Sequence, residues 1–105
     1  MENRRQCRRV DFTHEVWLNQ HGPLVGGHDN FGDLSTSGAF LRTHGTYAVG
    51  RVLELRFRLP SADTFIACAA RVRHQRVGHG IGVEFVSLLP ETLEQIEGVI
   101  GERAG

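Results

Sequence analysis

Across residues 52–59 every second side chain is apolar: Leu53, Leu55, Phe57 and Leu59 share one face, and Glu54, Arg56 and Arg58 share the other. That is the period of a β-strand with one face on a core and one in water. The same period recurs in shorter runs. Val10, Phe12, Val16 and Leu18 alternate with Asp11, Thr13, Glu15 and Asn19, and His14 falls in the apolar register. Ile66, Cys68, Ala70 and Val72 alternate with a face that ends in Arg71 and Arg73, and Ile81, Val83 and Phe85 supply a last inward face. Residues 39–41 read as a short apolar strand. Leu24 and Val25 begin an extended run that dissolves into glycine and polar residues by Asn30, a loop or a bulged strand. Turn residues separate these runs at 19–23, 33–38, 44–45, 60–63 and 76–79.

The last segment changes period. Leu89, Leu93, Ile96 and Ile100 are spaced as one stripe of an amphipathic helix. Pro90 and Glu91 suit its start, because proline lacks only a donor that would be unpaired there and a carboxylate favours the positive end of the helix. The expectation is a helix over 88–103 that frays near Gly98 and Gly101. At 105 residues the chain has room for one domain with one modest core. Short strands closed by one helix predict a mainly β fold: an antiparallel barrel of six strands, within a range of five to seven, over residues 10–87, with a C-terminal α-helix and an N-terminal arm over 1–9.

Charge enters through its arrangement. Arginines and acids cancel to a net charge of zero, so no global field draws in nucleic acid or an anionic membrane. All twelve cationic side chains are arginine, and four of them are Arg4, Arg5, Arg8 and Arg9. A planar guanidinium grips a phosphate or a guanine edge at two points, which lysine cannot do; a compositional bias in the coding sequence would also remove lysine. Cys7 and Cys68 lie far apart with no metal-type spacing, which argues against a structural disulfide. No apolar stretch reaches signal or membrane-span length. These features predict a soluble cytoplasmic protein.

Two polar clusters interrupt the strand pattern. The first, Arg4-Arg5-Gln6-Cys7-Arg8-Arg9, holds an R-x-x-x-R spacing immediately before a strand; the second, Asp33-Leu34-Ser35-Thr36-Ser37-Gly38, reads D-x-S-x-x-G and leads into one. In this order they resemble the signature of the PilZ family. The similarity continues in the apolar strand Ala39-Phe40-Leu41 after the turn, and in the G-x-x-F strand Gly82-Val83-Glu84-Phe85 ahead of the helix. It spans nearly the whole chain.

The resemblance implies a receptor for the second messenger cyclic di-GMP, with no catalytic residue, no metal and no cofactor. By spacing, Arg5 and Arg9 align with the family's two arginines, with Arg4 and Arg8 as the competing register. Arg4 then stands as the basic residue before the motif that in the family accompanies two stacked ligand molecules. The chemistry suits the ligand, whose two phosphodiesters and two guanine Hoogsteen edges are matched by arginine forks. A carboxylate at Asp33 accepts from the guanine ring nitrogen and exocyclic amine, a donor pair that adenine lacks. Ser35 offers a hydroxyl, and Gly38 allows positive φ or a backbone approach that any Cβ would prevent. His74 stands where many family members carry an aromatic. Output is expected to pass to an unidentified protein effector, or through self-association as a homodimer.

Blander readings stand beside this one. An arginine run at a chain end is commonly a solvated terminus, and the Asp33 turn caps its own backbone whether or not it binds anything. The six histidines show no ligand spacing on one element. Trp17 falls on the outward face of the first strand and reads as a packing or interface residue. Ser35 and Ser37 lack any hydrolase pattern. Two rival functions are a small-barrel nucleic-acid binder using the basic arm, which zero net charge and the lack of an exposed aromatic run disfavour, and a ligand-free PilZ-like interaction domain.

Overall fold

The computed structural model describes residues 9–19, 29–59 and 65–104. They form β1 (Val10–Asp11), β2 (Glu15–Leu18), β3 (Asp29–Leu34), β4 (Gly38–Arg42), β5 (Val52–Phe57), β6 (Ile66–Arg76), β7 (Gly80–Ser87) and α1 (Pro90–Ala104). Every pairing is antiparallel. The sheet order is β1-β3-β2-β5-β6-β7-β4, and β4 pairs back to β3. Six strands therefore close a barrel, β1 is an additional strand on β3, and α1 is the one helix among the described residues. Closure leaves the barrel strands without the open edges that invite aggregation.

The alternating faces point where their periodicity requires. Leu53, Leu55 and Phe57 are inside with Val16, Leu18, Ala70, Val72, Ile81, Val83 and Phe85. Phe31 is the hub of an aromatic cluster, edge-on to Phe12 at 5.1 Å and to Phe57 at 5.0 Å, the geometry that ring quadrupoles favour.

Several expectations need correction. The turn expected over 33–38 begins only after Leu34, because Asp29–Leu34 form a strand, and it ends where β4 starts at Gly38. The first strand is interrupted. Val10 and Asp11 pair with Leu34 and Asp33, but Glu15 and Val16 pair with Asn30 and Asp29, so the first segment carries one residue more than β3 opposite. The chain absorbs it over 12–14, where His14 is half-buried with its ring stacked on Phe12 at 4.5 Å. β6 also runs on to Arg76, so the turn begins at Val77. The helix spans Pro90–Ala104 without fraying at Gly98 or Gly101, because Ile96, Val99 and Ile100 pin both turns to the core. Leu89 precedes the helix and is 66 % exposed, so Thr92 and Val99 occupy the buried face that the stripe assigned to it. Trp17 does point away from the core cluster, yet it is buried, with Phe65 edge-on at 5.4 Å.

No helix among the described residues is long and apolar enough to cross a membrane. The run at Leu24-Val25 lies outside the described residues.

Candidate functional site

The turn between β3 and β4 is built around Ser35, whose side chain is fully buried. Its Oγ accepts from the backbone N–H groups of Ser37 and Gly38 and donates to the Gly38 carbonyl at 3.1 Å, while its own N–H donates to that carbonyl at 2.8 Å. The hydroxyl is thus used within the turn, and Ser37 rather than Ser35 reaches the surface cavity described below. Gly38 is there for close approach: a Cβ on it would lie 2.1 Å from the Val83 carbonyl oxygen across the β4–β7 ladder.

Asp33 owes its direction to a bulge. Phe31 pairs with Leu41 but Asp33 pairs with Phe40, so Gly32 is the extra residue on β3. Phe31 and Leu34 both remain in the core, and the two residues between them, Gly32 and Asp33, both face outward. Bulges re-aim side chains in this way beside functional sites. The Phe40 backbone N–H donates to Asp33 Oδ1 at 2.9 Å, and Arg9 Nη1 donates to the same oxygen at 2.6 Å. Arg9 is half exposed, and the carboxylate is 27 % exposed. The two sequence clusters therefore meet at this ion pair, across a separation of 24 residues. Arg4, Arg5 and Arg8 lie outside the described residues.

A second bulge lies across the barrel's outer face. Val72 pairs with Val83 and His74 with Gly82, which leaves Arg73 as the extra residue on β6. Before it, Ala70 and Val72 point inward and Arg71 outward; after it, His74 and Arg76 face out. Arg73 itself approaches Glu84 at 3.4 Å. The imidazole of His74 occupies the place where a Cβ on Gly82 would stand, within 2.1 Å of that position.

Both bulges border one open cavity of about 1100 Å³ over β3, β4, β6 and β7. Arg9, Arg42, Arg73 and Arg76 line it against Asp11, Asp33 and Glu84, and His44, His74 and His79 line it as well. Simple alternation had not assigned Phe40, Arg42, Arg73 and Arg76 to a site. The one available signal was the succession Arg73-His74 after Val72, two polar residues where the strand period asks for one. Among the described residues, no cluster of three or more histidine, cysteine or acidic side chains could hold a metal. Cys68 is a free thiol away from the cavity, on the core side, and burial pushes it up to about 12.

No curated protein matches this chain. A family model described as the PilZ domain matches residues 3–102. That match takes in the closed barrel, the D-x-S-x-x-G turn and the helix together, and the chain belongs to the PilZ domain family of cyclic di-GMP receptors.

Proposed function

We propose that this chain binds cyclic di-GMP in the cavity over β3, β4, β6 and β7 and relays its presence to a protein partner. The observation that carries the reading is the Arg9–Asp33 contact, which joins the arginine cluster to the D-x-S-x-x-G turn at the cavity rim. The ligand is a dianion with two guanines, and the cavity presents four arginines against three carboxylates. A guanidinium fork fits a phosphate or a Hoogsteen edge, and a carboxylate fits the guanine N1–H and amine.

In this reading Asp33 is already held by the Phe40 N–H, so its carboxylate is oriented before the ligand arrives. Arg9 leaves Asp33 as a guanine replaces it, an exchange that costs little because exposed ion pairs are worth about 1 kcal/mol or less. Ser35 and Gly38 act by holding the turn, while Arg4, Arg5 and Arg8 join Arg9 from the arm. Closing an arginine arm over the ligand changes the surface that a partner meets. No chemistry on the ligand and no cofactor are required.

The test is isothermal titration with cyclic di-GMP, with cyclic di-AMP and GTP as controls. Selective heat with cyclic di-GMP supports the receptor reading, and a stoichiometry near two assigns Arg4 its role in a stacked pair. A folded chain that gives no heat sinks the reading.

A further inference from the structure

Four histidines fall among the described residues, and three of them, His44, His74 and His79, line the cavity from three different segments. The fourth, His14, is stacked on Phe12 and does not line it. His74 stands on β6 beyond the bulge at Arg73, which turns it to the outer face. His79 belongs to the turn between β6 and β7, which its own N–H closes by donating to the Arg76 carbonyl at 2.9 Å. That turn lies against the end of β4, because Gly80 comes so near the Leu41 carbonyl that a Cβ on it would collide. His44 follows β4 there, in a bend held by Thr43 Oγ1, which accepts from the Gly45 N–H at 3.1 Å. All three histidines are exposed.

We infer that His44, His74 and His79 make ligand binding proton-coupled: the cavity takes up protons as it takes up the dianionic dinucleotide, so the chain holds its ligand more tightly in mildly acid conditions. This inference rests on the receptor reading and adds a regulation that neither sequence cluster contains. Imidazole is the side chain whose ordinary charge change falls between about pH 5 and about pH 8. An anion beside an imidazole favours the protonated form, and by linkage a proton on the ring favours the anion equally. The fixed charges around the rings set the sign. Arg9 ahead of β1 is held by Asp33 on β3, and Arg73 on β6 approaches Glu84 on β7. Arg42 on β4 and Arg76 on β6 then stand against Asp11 on β1, which leaves the cavity lining one net positive charge. The two phosphodiesters of the ligand turn that balance negative, and an imidazole answers such a change by binding a proton.

The experiment titrates the full chain calorimetrically with cyclic di-GMP from about pH 5.5 to about pH 8.5, which spans the ordinary imidazole range. Buffers of different ionisation heat count the protons taken up. The wild type is expected to bind about tenfold more tightly at the acid end, the effect of one ring whose proton affinity rises about tenfold with ligand, and to take up protons near neutral pH. A variant combining His44→Gln, His74→Gln and His79→Gln, with thermal unfolding as its fold control, is expected to lose both the slope and the uptake. Proton NMR of the wild type supplies a readout that needs no variant: the titration midpoint of at least one of the three rings is expected to rise when ligand is bound. Binding that is level in pH without proton uptake, a slope that survives in the triple variant, or three unmoved midpoints overturns the proton coupling and leaves the receptor reading intact. No binding by the wild type at any pH overturns both.

Discussion

The two sides of the barrel follow different rules. From β2 through β5 to the first half of β6 the ladder is unbroken: Val16, Trp17 and Leu18 pair in step with Phe57, Arg56 and Leu55, and β5 pairs with β6 from Val52↔Arg71 to Phe57↔Ile66 without a slip. On the other side, β3 and the second half of β6 each carry a bulge beside the cavity, and β7 carries one at Val86, away from it, where Ala70 pairs with Phe85 but Ala69 with Ser87. A regular strand divides its side chains between core and exterior in strict alternation. A bulge lets two successive residues face the same way, at the cost of a locally disrupted ladder. The regular side therefore holds the fold together, and the irregular side aims polar groups at one cavity.

That division can be broken most forcefully at Phe57. It is fully buried on the regular side and packs edge-on to Phe31, so Phe57→Ala is expected to cost about 3–5 kcal/mol of stability in chemical denaturation. Molecules that remain folded should bind ligand as before. A large loss of affinity in the folded fraction would show that the two sides are not separable.

Asp33→Ala probes the irregular side. It removes the acceptor of the partly buried Phe40 N–H, for which a stability loss of about 1–3 kcal/mol is expected. The same variant should discriminate less between cyclic di-GMP and cyclic di-AMP, and unchanged selectivity would move guanine recognition elsewhere. Arg9→Ala sharpens the contrast further. Its ion pair is substantially exposed, so unfolding should shift by about 1 kcal/mol or less while affinity falls about tenfold or more.

The smallest effect at neutral pH belongs to Cys68, on the core side of regular β6. Burial raises its thiol from 9.0 to about 12, so the folded chain holds the proton where the unfolded chain has lost it. Its contribution to stability is complete below pH 9 and declines as pH rises from 9 toward 12. In a Cys7→Ser background, the partly buried Cys68 should react with a thiol reagent at neutral pH more slowly in the folded chain than in the unfolded one. Equal rates would show that the fold does not shield the thiol.

The barrel was legible because burial of one strand face leaves a period-two record, as in Leu53, Leu55 and Phe57, and because a helix leaves a longer period, as in Ile96 and Ile100. Leu89 misled because spacing alone does not say where a helix begins. The site was legible in part. Ser35 sits in a local turn, closed by Gly38 at the start of β4, whose chemistry is written in consecutive residues; Asp33 precedes it on β3, and Arg9 is adjacent to the strand that brings it there. Ser35 shows the limit, since only the fold reveals that its hydroxyl is consumed within the turn.

By itself, then, the sequence determined the alternating strands, the terminal helix, the one-domain scale and the two polar clusters, all of which depend on neighbours in the chain. Tertiary structure alone decided where the ladders slip, that Arg9 reaches Asp33, and that Phe40, His74 and Arg76 share a face. A bulge is a mismatch between two strands, and no single segment carries the register of its partner.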